Sequence, residues 1–446
     1  MDELELTEFE LAALKDLVQF PLTEALFGRR SRRFFRGAEI PDGPLAYKSR
    51  FEPLALTELE RLLILTSVSG NTGWHDAITR HERYKPHLAN YSAAAGGRVF
   101  PSAAGFHTSE VFFTDDSGTY FFATRDVPAL TQAKNGQAPD VVALLNTHRK
   151  CIRKLSDTRI YMPDHEPYMT GHNSWVANKP GSLLVIPVGD VAQQNLLNIA
   201  FFAQNGYALY DDINKRPIPG LEKFAHLVDL SVPYMVSSVE RYSLNGVTAE
   251  LSIAAYAGSL MQQAMGLGGW VFNGIDRLKI LGASGNPQVP GLGFHVDWDA
   301  RWPQPNATGL PGVFEGFTPP HYPNMRAAVD ALAERKFGVG GPFNADTPGP
   351  WKDSRTVRNS AQVWTEEFRD LISIQAQYIY DTFGKFPGTV PTLQILLYLQ
   401  SHHLDLEYYD AFYEPGAYLH SHAEHLQRWH GFDEGPISMD GQGSDP

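Results

Sequence analysis

Residues 29–36 read Arg-Arg-Ser-Arg-Arg-Phe-Phe-Arg, five arginines in eight residues of a chain with a formal net charge of −13. Guanidinium forks and a serine hydroxyl make strong, directional bonds to the oxygens of a phosphate. In an extended segment, alternate side chains share one face, so Arg29, Ser31 and Arg33 would point together. The same run also fits a solvated basic turn or a docking patch. A second candidate, residues 98–107, reads RVFPSAAGFH. Pro101 followed by Ser102, Ala103 and Gly105 would let backbone amides and a hydroxyl approach a flat ligand closely. The plainer alternative is a tight turn entering a strand.

Six of the sixteen histidines, His402, His403, His420, His422, His425 and His430, fall near the C-terminus, with Asp405, Glu407 and Glu424 among them. Imidazoles and carboxylates at such spacings could ligate zinc or iron. His422 and His425, three residues apart, would share a helical face. Tyr408, Tyr409, Phe412, Tyr413, Tyr418 and Trp429 accompany them, the composition of an arm packed on a partner subunit. That reading is preferred, so no metal ligand is assigned. The glycines of residues 338–341 lack the Lys-Ser/Thr of a phosphate loop and follow a helical stretch, which makes them a helix terminus.

Several elements must position these residues. Apolar positions Leu6, Phe9, Leu11, Leu14, Leu17 and Val18 predict a helix over 5–27, stopping at Gly28. Thr57 and Glu60 have the capping-box spacing that opens a second helix. Residues 109–124 read as a hairpin turning on Asp115, Asp116, Ser117 and Gly118. Residues 182–188 suit a buried strand, after which Asp190 would cap a helix. Further helices are expected at 249–265, 324–337, 362–383, 391–401 and 405–428, with an irregular stretch at 286–323. Scattered strands among helices predict an α+β fold. Residues 342–358 read as a linker separating a domain over 1–341 from a helical C-terminal extension over 359–446.

The Arg-x-Ser-x-Arg-x-Phe spacing after an N-terminal helix resembles the FMN-phosphate signature of the nitroreductase superfamily. Residues 101–112, PSAAGFHTSEVF, resemble the branch that includes azoline (thiazoline and oxazoline) dehydrogenases, with Ala104 where Gly is usual and Thr108 where Pro is usual. MGLGG at 265–269 resembles that family's Gly-Leu-Gly element. The helix at 324–334 followed by Arg335, Lys336, Phe337 and Gly338 resembles its late basic helix. The likeness spans residues 6–340, with 125–245 matching poorly and read as an insertion. It implies an antiparallel sheet flanked by helices, and a homodimer with FMN between the subunits. Arg29, Ser31 and Arg33, supported by Arg30 and Lys336, would hold the phosphate. Pro101, Ser102, Ala103 and Gly105 would line the flavin, often from the second subunit. Gly266, Gly268 and Gly269 would leave room beside it. Hydride would pass through the flavin N5 in a ping-pong cycle fed by NADH, NADPH or the small-molecule substrate. No side chain need serve as acid or base. The Lys-Tyr pair of azoline dehydrogenases is not located, since Tyr256 has no lysine beside it.

An acidic chain repels nucleic acid and anionic membranes. Cys151 is the single cysteine, so no intrachain disulfide forms, which suits a reducing compartment. The N-terminus is acidic and amphipathic rather than a secretory signal, and no apolar run nears the roughly 20 residues that span a bilayer. A soluble cytoplasmic protein is expected. Two other readings remain open: a metal-dependent enzyme built on the C-terminal histidines, and a flavin-free binding or structural subunit.

Overall fold

Strands buried on both faces build the central sheet. The computed structural model describes residues 3–77, 94–102, 107–127, 140–349 and 351–432. Its main sheet comprises β1 (Ser109–Asp115), β2 (Gly118–Phe122), β3 (Ile152–Ser156), β4 (Leu183–Asp190), β5 (Gly268–Phe272), β6 (Leu393–Gln394) and β7 (Tyr398–His402). The spatial order is β5-β7-β4-β1-β2-β3, with β6 pairing the far end of β4. Every pair is antiparallel, in registers such as Phe113 opposite Val185 and Leu184 opposite Gln400. The expected hairpin is present, its turn closed by Ser117 N donating to Asp115 Oδ1 at 2.8 Å.

The two faces are covered differently. Val111, Phe113, Leu183, Val185 and Leu399 pack beneath helices α2 (Glu58–Ser69) and α4 (Val236–Met265). On the opposite face, Phe112, Leu184, Ile186, Trp270 and Tyr398 are sealed by largely irregular chain carrying Phe34, Phe35, Ile280, Phe294 and Phe314. Each fully buried large apolar side chain contributes about 1.5–3 kcal/mol, so both coverings are strongly held. A further cluster joins α3 (Val191–Gln204), α5 (Met325–Phe337) and α6 (Glu366–Phe383). The architecture is α+β, an antiparallel sheet flanked by helices.

Local capping chemistry sets the helix starts. Thr57 and Glu60 form the expected capping box, and Asp190 accepts from Gln193 N at 2.9 Å to open α3. The single helix expected over 5–27 is two, α1 (Glu8–Val18) and a short helix Leu22–Phe27. Pro21 separates them, because a proline interrupts the helical hydrogen-bond ladder.

Three expectations are corrected. Residues 391–401 are not a helix. A short apolar run fits a buried strand as well as a helix, and here it forms β6 and β7. Since β7 lies between β5 and β4, the C-terminal part supplies a core strand as well as helices, including α7 (Leu406–Phe412) and α8 (His425–His430). The supposed insertion at 125–245 contains β4, which lies inside the sheet. The supposed linker at 342–358 is packed, with Arg358 only 1% exposed. Its guanidinium donates to the carbonyls of Pro342, Thr347 and Pro348.

A chain ending at residue 341 is expected to lose cooperative urea unfolding, followed by circular dichroism, because β4 and β5 would become unpaired edges. A sharp transition in that truncation would show the C-terminal part to be dispensable.

Candidate functional site

The arginine segment runs alongside β5. Gly269 N donates to Arg32 O at 2.8 Å, and antiparallel bridges join Arg32 to Gly269 and Phe35 to Leu404. Extended backbone alternates as expected: Ser31 and Arg33 are exposed, while Arg32 and Phe34 are buried. Arg29, Arg30, Ser31, Tyr256, Gln262 and Gly269 line one cavity of about 280 Å³. Four of the residues singled out from sequence therefore come together. Arg33 lies beside them, its guanidinium 5.9 Å from the centre of the Trp270 ring.

Arg32 was not singled out, yet it anchors this segment. Its Nη1 donates to Gln263 Oε1 at 2.6 Å, its Nε to Ala417 O at 2.9 Å and its Nη2 to Gly28 O at 3.3 Å. Burial lowers its pKa to about 10, so it stays charged at neutral pH. The only advance sign was its place between two outward positions of an alternating run.

The glycines divide by role. Gly269 has φ +148, and a Cβ there would lie 2.0 Å from Gln400 O and 2.5 Å from Gln262 Nε2. Gly266 instead ends α4 at φ +83, and its Cβ would strike Ser421 O at 2.0 Å. Gly268 faces the Leu404 side chain. These last two glycines admit the C-terminal chain rather than open the cavity, which corrects their assignment as space beside a ligand.

Ala103 and Gly105 lie outside the described residues. Pro101 is exposed, and Ser102 Oγ donates to Glu250 Oε2 at 2.5 Å while accepting from His107 N at 2.9 Å. Glu250 also accepts from Ser109 N at 2.9 Å. Burial raises its carboxyl above the usual range, against the pull of these donors and Arg98. Neither Pro101 nor Ser102 lines the arginine cavity of its own chain.

Lys336 is also elsewhere. It is buried in a crevice whose Phe343 and Trp364 ring centres both lie 4.8 Å from its ammonium, and its Nζ has no hydrogen-bond partner. It belongs with the α3, α5 and α6 cluster, so its expected reach to a phosphate beside Arg29 is corrected. Burial pushes its pKa down to about 7.

The histidines separate as well. His402 Nε2 lies 3.1 Å from Arg32 O, and burial lowers its pKa to about 4. His422 Nδ1 accepts from Leu419 N at 3.2 Å, and the exposed His420 pairs with Glu424. His403, His425 and His430 instead converge on Glu60, whose sequence signal was only that of a helix cap. The aromatic residues expected to meet a partner subunit pack at home in part: Tyr408 stacks on Phe34 at 4.0 Å, and Tyr409 Oη accepts from Phe34 N at 3.1 Å. Their apolar area is buried against the N-terminal segment of the same chain.

No protein-family model and no curated protein matches the chain. Among solved structures it is similar to a "putative nitroreductase" from Ralstonia eutropha JMP134, at 13% identity and a TM-score of 0.28, over 58% of this chain and 71% of that one. No helix among the described residues is long and apolar enough to cross a membrane.

The Lys336 environment predicts a pH signature. Between pH about 7 and 10.5 the unfolded chain holds a proton that the native chain has released, so stability rises with pH through this window. Lys336→Met should add a few kcal/mol near pH 6, at about 1.4 kcal/mol per pKa unit, and this gain should fade towards pH 10. Urea unfolding across pH checks it. A variant with the same pH slope as the parent would contradict a buried, titrating amine.

Proposed function

We propose that the chain is an FMN-dependent oxidoreductase acting on a small organic substrate, assembled as a homodimer with flavin at the subunit interface. The observation that carries this reading is the convergence of Arg29, Arg30 and Ser31 with Gly269 on a wall formed by α4. Two segments far apart in sequence, both expected to touch the cofactor, share a single cavity.

The residues present fit such a group in three respects. Arg29, Arg30 and Ser31 offer two guanidinium groups and a hydroxyl to a phosphate. Gly269 lines the cavity, and its φ and the closeness of Gln400 O and Gln262 Nε2 exclude any side chain there. Gln262 lines the same cavity, and its buried Oε1 has no hydrogen-bond partner. The Gln262 amide is held by Nε2 donating to Gln400 O at 2.7 Å and Ser401 Oγ at 2.6 Å, which fixes the side chain at the cavity wall.

Bound FMN would supply hydride transfer at its N5, with NADH, NADPH or the substrate as donor. The chain's own part is to hold and orient. Arg33 and Trp270 form a stacked flank, and Tyr256 stands at the rim with 43% exposure. Support for a second copy comes from the exposed apolar residues beside the cavity. Leu22 and Phe27 are 66% and 79% exposed on the short helix packed against α4, which itself exposes Ile253 and Tyr256. Apolar residues exposed on two packed helices are what a subunit interface in this reading would cover. In this reading the Pro101 and Ser102 segment that lines the flavin comes from the second copy.

The purified protein is expected to be yellow and to release FMN on denaturation. Arg29→Ala combined with Arg30→Ala should weaken FMN retention by several kcal/mol, since a charged hydrogen bond contributes about 1.5–3 kcal/mol. Arg32→Ala should instead lower the unfolding midpoint, because it removes the hydrogen bonds to Gln263 Oε1, Ala417 O and Gly28 O. A colourless preparation that cannot be reconstituted with FMN would remove the cofactor and leave a flavin-free binding role.

A further inference from the structure

Glu60, His403, His425 and His430 form a buried cluster in which one ligand atom from each lies within 4.8 Å of all the others. Glu60 is fully buried, and the three imidazoles are 1%, 3% and 8% exposed. Glu60 Oε1 lies 2.9 Å from His425 Nε2 and 3.1 Å from His430 Nε2. Glu60 Oε2 lies 3.6 Å from His403 Nε2, and His403 Nδ1 lies 3.1 Å from His425 Nε2. The four residues come from α2, the residue directly after β7, and the two ends of α8.

Hydrogen bonding among neutral imidazoles does not satisfy this arrangement. His425 Nδ1 is 2.7 Å from the carbonyl oxygen of Met265. A carbonyl only accepts, so Nδ1 carries the proton and Nε2 presents a lone pair to the Glu60 carboxylate. His403 has the same difficulty. Its Nε2 is buried without a hydrogen-bond partner and faces Glu60 Oε2, while its Nδ1 faces His425. With one proton to place, one of its nitrogens must oppose another lone pair. A positive centre is required among these atoms, and the choice lies between added protons and a metal ion.

We propose that Glu60, His403, His425 and His430 bind a divalent zinc-class cation. Three nitrogens and one carboxylate oxygen are ligands of the type zinc takes, at about 2.0–2.2 Å. A tetrahedron of that size has edges of about 3.3 Å by simple geometry. With one atom from each residue, His425 Nε2 lies 2.9 Å from Glu60 Oε1 and 3.1 Å from His403 Nδ1, and His430 Nε2 lies 3.1 Å from Glu60 Oε1. The Met265 carbonyl, an otherwise orphaned acceptor at the last turn of α4, supplies the outer hydrogen bond that fixes a ligating imidazole's tautomer and orientation. Four protein ligands close the coordination shell, so the ion's role is to tie α8 and the end of β7 to α2. A cavity of about 110 Å³ lies against the cluster, lined in part by His403 and His425. This site is independent of the flavin reading.

The test uses the full chain, freed of any affinity tag, stripped with a chelator and titrated with zinc or cobalt(II) alone. A single equivalent should bind and raise the thermal midpoint, as a ligand specific to the native state does. Cobalt should give the intense visible bands of tetrahedral coordination, read as a difference against the zinc form so that flavin absorbance cancels. Glu60→Gln and His425→Ala should each weaken binding by more than roughly a hundredfold, beyond the roughly 10–100-fold effect of losing an outer-shell partner. His430→Ala, at the most exposed ligand, gives the same reading if either buried variant fails to fold. His420→Ala, at an exposed histidine outside the cluster, should leave binding unchanged. A stripped, folded chain that takes up no cobalt in tetrahedral form would overturn the proposal and leave a protonated network. Equal binding by the parent and the His430→Ala variant would overturn it as well.

Discussion

Strand β7 is the constraint on which both candidate sites depend. It pairs Ser401 with Gly269 on one side and Leu183 on the other, so it fixes where β5 begins. The start of β5 in turn receives the arginine segment through the Gly269 to Arg32 hydrogen bond. The residue after β7 is His403, delivered directly to Glu60. Gln262 reinforces the same ladder from α4, with its amide on Gln400 and Ser401. One ladder, closed between residues hundreds apart in sequence, thereby places both the cavity wall and the histidine cluster.

The unequal covering of the sheet has an energetic consequence. Helices satisfy their own backbone hydrogen bonds, whereas irregular chain over a buried face must find partners elsewhere. Buried carboxylates supply such partners on both sides of the sheet. Glu110 accepts from Thr124 N at 2.8 Å and Arg125 Nε at 2.7 Å. Glu240 accepts from Gly388 N at 2.6 Å and Thr389 N at 2.7 Å, and Glu250 accepts from Ser109 N and Ser102 Oγ. Burying a charge is costly unless it is paired and hydrogen-bonded. Each of these acids offsets that cost by fastening a loop or a strand end to a helix or a strand.

Polar side chains that lack such partners mark the places where another species is expected. Gln262 Oε1, on a residue lining the arginine cavity, and His403 Nε2, in the histidine cluster, are both buried atoms without a hydrogen bond. Lys336 is a different case. Its amine loses its proton near neutral pH and needs no counter-ion above that point, so the aromatic crevice tolerates it.

What could be seen in the amino-acid order was what short-range physics decides. Thr57 with Glu60, and Asp190, declared helix starts because a cap bonds to backbone within three residues. The hairpin at 109–122 and the alternation of Ser31, Arg32, Arg33 and Phe34 were legible for the same reason. Residues 393–402 were not, since an apolar run of that length becomes helix or strand according to what lies beside it. The inward turn of Arg32, the burial of Lys336 among Phe343 and Trp364, and the joining of Glu60 to His403, His425 and His430 follow from long-range packing. A residue's type and spacing state which bonds it is able to make, and only the fold decides which partner comes within bonding distance.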